Sequence, residues 1–309
     1  VDEREDLATR FEEHRSRLRA VAYRMLGSVS EADDAVQEAW IRLNRADTGE
    51  VVSLGAWLTT VVARVCLNML RSREQRREEP FAAYMPDPVI GPESGADPEH
   101  EAVLSDAVGL ALLVVLETLS PAERLAFVLH DMFAVPFEDI APMIDRTPAA
   151  TRQLASRARR RVRDQAPVPD PDLARQRSVV DAFFAAARDG DFEGLVAVLH
   201  PEVVLRSDGG VTRARHTLVV TGARAVAGQA VTFGRFAPFV RPALVNGAAG
   251  VVVAAQGRPL SVMAFTVTGG RIVAIDVLAD PERLSRLDFS AVDSSVVDSS
   301  ATGSSATGS

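Results

Sequence analysis

Residues 137–163 read FEDIAPMIDRTPAATRQLASRARRRVR, and this stretch decides how the first half of the chain folds. Thr147 stands directly before Pro148. A threonine oxygen satisfies free N–H groups of a first helical turn, and proline suits the first helical position because it has no N–H to lose. The helix opened in this way runs through Ala149-Ala150-Thr151-Arg152-Gln153-Leu154 to about Arg163. Ahead of it, Glu138 to Ile144 predicts a short helix, with Pro142 expected to shorten or tilt it. Asp145-Arg146 leaves room only for a tight turn. A short helix, a turn and a longer basic helix make a helix-turn-helix, whose second helix enters a DNA major groove by its N-terminal residues.

The charge pattern supports this reading. Residues 147–163 carry six arginines (152, 157, 159, 160, 161 and 163) and no carboxylate, while residues 78–101 carry seven carboxylates and no arginine. The formal net charge of −8 argues against a protein that coats nucleic acid non-specifically, so the local stripe is what matters for phosphates. Arg152 and Gln153 sit early enough to read base edges; Arg157, Arg159, Arg160 and Arg161 lie where phosphate contact is expected. The competing reading is an arginine-rich helix end answering its own dipole, which needs fewer than six arginines.

Working outward, Pro121 to Phe133 predicts a helix capped by Ser120, followed by a break at Ala134-Val135-Pro136. Further upstream, Ser30 with Asp33 reads as a capping box for a helix to Leu43. Its Val36, Trp40 and Leu43 share one face, and Asp34, Gln37, Glu38 and Arg42 share the other. By itself that second face reads as a solvated surface. Trp57 to Arg77 predicts another helix, with Trp57, Val61, Val65 and Met69 inward and Arg64, Asn68, Arg71 and Arg73 on a polar stripe suited to phosphates and bases. Pairing of those arginines with Glu74, Glu78 or Glu79 is the structural alternative.

These segments resemble a known family. Asp33-Asp34-Ala35-Val36-Gln37-Glu38-Ala39-Trp40 resembles the helix with which sigma factors grip the RNA polymerase clamp. Ala56 to Arg64, followed by Leu70-Arg71-Ser72-Arg73, looks like their helix for the minus-ten promoter element. Thr147 to Arg159 is similar to their reader of the minus-thirty-five element, with Arg152 keeping the family's basic position and Leu154 standing where an arginine is usual. Two helical modules match the extracytoplasmic-function class. The stretches Ala126 to Phe137 and Arg152 to Arg159 are very similar to its branch with a fused SnoaL-like, NTF2-like C-terminal domain, the mycobacterial sigma-J type. The resemblance implies clamp binding through Asp34, Gln37, Glu38 and Arg42, and minus-ten contacts from Arg64, Asn68, Arg71 and Arg73. It implies minus-thirty-five contacts from Thr151, Arg152, Gln153, Arg157, Arg159 and Arg160.

The expected organisation is two all-α modules at 7–77 and 101–165, the second a helix-turn-helix, joined by an acidic Pro-rich linker at 78–100. After a break at Pro167, Pro169 and Pro171, an α+β cone is expected at 173–287, and a Ser-rich tail at 288–309 reads as disordered. In the cone, Val179, Val180, Phe183, Phe184 and Ala187 give a first helix its apolar face, and Gly190-Asp191 turns into a second. Strands are expected at 203–206, 217–220, 239–245, 250–255, 260–267 and 271–278, with hairpin turns at Asn246-Gly247 and Gly269-Gly270. The resemblance further implies that the cone regulates the helical modules in cis through three short motifs. These are Tyr84-Met85-Pro86-Asp87-Pro88-Val89, Asp208-Gly209-Gly210 and Asp280-Pro281-Glu282-Arg283-Leu284.

SnoaL-like domains include isomerases and cyclases that use Asp and His as acid or base, and Asp208, His216 and Asp276 are the candidates here. An enzyme fused to a DNA-binding module is therefore the alternative reading, and a small-molecule ligand in the cone lies between the two. The polymerase-binding helix speaks for a non-enzymatic sigma factor. The expected partners are core RNA polymerase and promoter DNA, with no separate anti-sigma protein required. Cys66 is the single cysteine, which excludes an internal disulfide and a cysteine metal cluster; no metal or cofactor is expected. No apolar run approaches the roughly 18 residues of a membrane span, and no signal-peptide pattern opens the chain, so a cytoplasmic protein is expected.

Overall fold

The computed structural model describes residues 2–46, 53–76, 85–92, 109–210, 216–290 and 292. The chain divides into two compact units, residues 1–87 with 110–167, and residues 88–109 with 168–309. Most of the acidic linker and nearly all of the Ser-rich tail lie outside the described residues.

In the first unit, α1 (Asp2–Leu26), α2 (Val29–Leu43) and α3 (Leu54–Arg76) pack through helical stripes. Phe11, Leu18, Val21, Ala22 and Met25 of α1 are buried against Ala32, Ala35, Val36, Ala39 and Leu43 of α2. Two expectations are corrected. The cap of α2 is Ser28, not Ser30: Gly27 takes a left-handed φ of 67°, which ends α1, and the Ser28 hydroxyl accepts from the Glu31 N–H. The inward line of α3 is Leu54, Leu58, Val62, Cys66 and Leu70, so of the expected line only Val65 is buried, while Trp57, Val61 and Met69 are half-buried. Both lines repeat every four residues; the apolar set one position further along gives the tighter core. Burial pushes the Cys66 thiol up to about 12, which leaves it an inert core side chain.

The same unit holds α4 (Leu110–Leu116), α5 (Pro121–Phe127), α6 (Phe137–Ile140) and α7 (Pro148–Gln165). Ser120 and Glu123 form a complete capping box on α5. The expected helix to Phe133 is present but loosens into a π-turn at Val128–Met132, and Ala134 then reverses the chain with φ 56°. Pro142 acts as expected: α6 stops at Ile140 and a 3-10 turn, Ala141–Met143, follows.

The guanidinium of Arg124 on α5 lies at the centre of this unit, with the residue only 2% exposed. Its Nη1 donates to the Glu117 carboxylate at 2.7 Å, and its Nε donates to the Arg24 carbonyl near the end of α1 at 3.1 Å. One buried charge is thus paired, and one open carbonyl of α1 is satisfied by the other helical module.

The second unit is an α+β cone. α8 (Leu173–Asp189), α9 (Phe192–Val198) and α10 (Ala223–Phe233) cover one face of a seven-stranded sheet. The strands are β1 (Ile90–Gly91), β2 (Leu199–Asp208), β3 (Leu218–Thr221), β4 (Val240–Val245), β5 (Ala248–Ala255), β6 (Arg258–Thr268) and β7 (Arg271–Leu278). Their order is β1-β4-β5-β6-β7-β2-β3. The hairpin-linked strands β4 to β7 run antiparallel, while β2 runs parallel to β7. The helix α10 was not foreseen, and β1 falls inside the stretch read as linker, where it pairs with β4. Both hairpin turns have the two successive positive φ values that Asn-Gly and Gly-Gly supply, 50° and 75° at Asn246-Gly247 and 60° and 76° at Gly269-Gly270. The Pro-rich break after α7 is not loose: the Asp170 N–H donates to the Val267 carbonyl, and its carboxylate accepts from the Gly269 and Gly270 N–H groups, which lowers its pKa.

Arg124→Met is expected to destabilise the protein by about 3 kcal/mol, because it strands Glu117 in a buried site. Combining it with Glu117→Met should recover most of that loss, as read from denaturant midpoints. A single variant as stable as the wild type would contradict a structural role for the pair.

Candidate functional site

The helix α7 begins where its capping chemistry puts it. Thr147 is extended, its hydroxyl accepts from the Ala150 N–H at 3.2 Å, and Pro148 follows. Thr151, Ala155 and Ala158 form its buried face. Arg152, Gln153, Arg157, Arg159 and Arg160 lie on the exposed side. The expected DNA contact by Thr151 is corrected: its side chain is fully buried and donates to the Thr147 carbonyl at 3.0 Å. It sits four residues before Ala155, on the line that packs inward.

The arginines differ in how they are held. Arg159 donates through Nε and Nη2 to Asp131, at 2.9 and 2.6 Å. Arg157 and Arg161 both approach Glu123, at 3.9 and 3.8 Å, and Arg161 also donates to the Thr118 carbonyl. Arg152 lies over the Phe137 ring, 5.3 Å from its centroid. Arg160 has no ion-pair partner among the described residues. The surface pairs of Arg157 and Arg159 are weak and exchangeable for phosphates.

On α2, Asp34, Gln37 and Arg42 are exposed, and Glu38 is half-buried with its carboxylate accepting from Arg42 at 2.8 Å. On α3, Arg64, Asn68 and Arg71 are exposed, at spacings that keep them along one side of the helix. Arg73 departs from expectation. Its side chain is 18% exposed, donates to the Leu26 carbonyl at 2.9 Å and pairs with Glu31. It is a tie between α3 and the α1–α2 corner rather than a free cation, and its partner is none of the glutamates weighed from sequence.

Of the three motifs expected to regulate, Tyr84 lies outside the described residues. Asp87 belongs to the first unit: its N–H donates to the Gly27 carbonyl at 2.7 Å, and its carboxylate accepts from the Val29 N–H at 3.2 Å. The Tyr23 hydroxyl donates to its carbonyl, and Pro86 packs beside Gly27. Pro88 opens the segment of the second unit in which the Val89 N–H donates to the Asn246 side chain and the Val89 carbonyl accepts from the Asn246 N–H.

The other two motifs meet within the cone. The Asp208 carboxylate accepts from Arg283 at 2.8 Å and from the Gly210 N–H at 3.0 Å. Gly209 donates to Thr217, and Asp280 caps the helix α11 (Pro281–Leu284) by accepting from the Glu282 N–H. Gly210 holds φ 63°, and any Cβ there would collide with the Asp280 carboxylate.

Asp208 is held by Arg283, and His216 is exposed. Asp276 is 1% exposed and paired with Arg206 at 3.2 Å, across the register that sets Arg206 beside Asp276. Burial raises its pKa against the pull of Arg206. Among the described residues there is no cluster of three metal-ligating side chains, and no helix is long and apolar enough to cross a membrane. Sequence reasoning named Phe137 and Arg283 only within longer motifs and did not single out Arg206. Arg206 and Arg283 could have been found from their motifs, two residues before Asp208 and three after Asp280.

Two family descriptions match the helical unit, Sigma-70 region 2 over residues 10–77 and Sigma-70, region 4 over residues 109–162. The ECF RNA polymerase sigma factor SigJ of Mycobacterium tuberculosis is 38% identical over 295 residues, covering 89% of this chain and 92% of that protein. The probable ECF RNA polymerase sigma factor SigI of the same species is 35% identical over 290 residues, covering 93% and 98%. The crystal structure of M. tuberculosis SigJ superposes with a TM-score of 0.74 at 35% identity, covering 90% of this chain and 98% of that one. At this identity and coverage, the chain belongs to the extracytoplasmic-function family of RNA polymerase sigma factors.

Proposed function

We propose that the protein binds core RNA polymerase through the exposed face of α2 around Asp34, Gln37, Glu38 and Arg42. On this reading α3 presents Arg64, Asn68 and Arg71 to the minus-ten element. The helix α7 presents Arg152 and Gln153 to bases of the minus-thirty-five element, with Arg157, Arg159 and Arg160 on flanking phosphates. The observation that carries the reading is the polarity of α7. One face is locked by Thr151, Ala155 and Ala158, and the opposite face opens with an arginine and a glutamine in its first turns. Such a protein works with the transcription machinery in the cytoplasm.

The cone regulates the helical unit in cis, so no separate anti-sigma protein is required, and a small molecule bound in the cone is the natural input. The cluster of Asp208, Gly210, Asp280 and Arg283 supports this, because two distant motifs build one largely buried ion-paired corner. The cone is not an enzyme on this reading: the carboxylates of Asp208 and Asp276 are each engaged by an arginine, as structural pairs are.

Run-off transcription with core polymerase tests the reading. The full-length protein is expected to start transcripts at discrete promoters. Arg152→Ala should lower initiation from minus-thirty-five-dependent promoters by about tenfold, the scale of one lost bidentate base contact. Asp208→Asn should change transcript yield while leaving start sites unchanged. No transcript from the wild-type protein with core polymerase contradicts the assignment, and an unchanged yield from Asp208→Asn contradicts regulation through that corner.

The Asp276 pair makes a separate prediction. The raised folded-state pKa means that the fold holds this proton more tightly than the unfolded chain does. The cost of ionising it therefore appears as pH rises from the unfolded value through the folded one, and is absent in acid. The thermal midpoint of Asp276→Asn minus that of the wild type is expected to rise between about pH 4, the ordinary carboxylate range, and neutrality. A difference that does not change with pH contradicts it.

A further inference from the structure

The contact of Arg152 with Phe137 is part of a larger arrangement. Phe137 opens α6 and is only 7% exposed, so its ring is fixed by the helix-turn-helix core. His130 stacks on that ring, with centroids 3.7 Å apart and planes inclined by 27°. The imidazole is itself held, because its Nδ1 lies 3.0 Å from the Val135 carbonyl, which can only accept, so Nδ1 carries the proton. His130 reaches this place because the helix widens into the π-turn Val128–Met132 and the chain reverses at Ala134 in a left-handed conformation. The Arg152 guanidinium completes the array over the same ring.

An exposed arginine ordinarily samples many rotamers, and ordering it on DNA costs entropy. A guanidinium resting on a fixed aromatic face is already oriented, and its planar fork suits the two acceptors of a guanine edge. We propose that Phe137, backed by His130, is a positioning residue for Arg152 and sets the preference of α7 for guanine at one step of the minus-thirty-five element. Phe137 contacts no DNA in this account; it acts through Arg152. The inference rests on the base-reading role proposed above for Arg152.

The test uses full-length protein with core polymerase on a promoter library randomised across the minus-thirty-five element. Variants are Arg152→Ala, Phe137→Leu, Phe137→Tyr and the double variant of the first two. Phe137→Met serves as a second core-filling replacement if the leucine variant does not fold. Phe137→Leu is expected to relax base preference by about tenfold at the same step that Arg152→Ala relaxes, on the scale of one bidentate contact. Phe137→Tyr should keep the preference, and the double variant should be no worse than Arg152→Ala alone. The salt dependence of binding should be unchanged in Phe137→Leu, since no phosphate contact is lost. If Arg152→Ala relaxes one step while Phe137→Leu and Phe137→Met keep full preference there, the positioning role is overturned and base reading by Arg152 stands. If Arg152→Ala itself leaves the preference intact, base reading by Arg152 fails, and the inference fails with it.

Discussion

The buried guanidinium of Arg124 is the constraint on which the helical unit depends. A charge in that position is tolerable only because Glu117 pairs with it and because its Nε finds the Arg24 carbonyl. Those partners come from different parts of the chain, Glu117 from just after α4 and Arg24 from the last turn of α1. Satisfying one side chain therefore brings the two helical modules into one packed body. Gly27 sits against the same pair, and a Cβ there would meet the Glu117 carboxylate at 2.7 Å. The corner that ends α1, caps α2 with Ser28 and receives Asp87 is built around that close approach.

A similar economy governs the functional surfaces. In α7 one face is buried, so the exposed face is fixed in azimuth, and Arg152 and Gln153 lie on it, where the proposed base reading needs them. In α3 the packed line through Leu58, Val62 and Cys66 leaves Arg64, Asn68 and Arg71 outside. In the cone, β2 and β7 carry Arg206, Asp208 and Asp276, and neighbouring strands and α11 hold them as ion pairs. Rigid scaffolding with polar groups at its margins is what a protein that positions other macromolecules requires.

The elements set by local chemistry were legible in the sequence. Ser120, Thr147 and Gly190-Asp191 placed helix ends, and Asn246-Gly247 and Gly269-Gly270 placed hairpins, because capping and positive φ depend on a few adjacent residues. What depends on distant partners was not legible. The two-residue strand β1 exists only because β4 offers it an edge, and the parallel β2–β7 pair joins segments far apart in sequence. Residue type and family position make Thr151 and Arg73 read as DNA contacts. Their burial follows from which side of each helix meets a neighbour, and a polar residue can sit on either side. On α3, two apolar lines one residue apart fit the same period, and only packing chooses between them. The array of His130, Phe137 and Arg152 needed a π-turn and a left-handed alanine, neither of which has a sequence signature strong enough to predict.

The proposed function has this protein recognise two promoter elements as a subunit of RNA polymerase rather than as a free DNA-binding protein. Hydroxyl-radical footprinting on a responsive promoter, with and without core polymerase, tests it most directly. Protection is expected at both the minus-ten and minus-thirty-five elements, and only when core polymerase and this protein are present together. Protection of a single site by the protein alone, unchanged by polymerase, would contradict it.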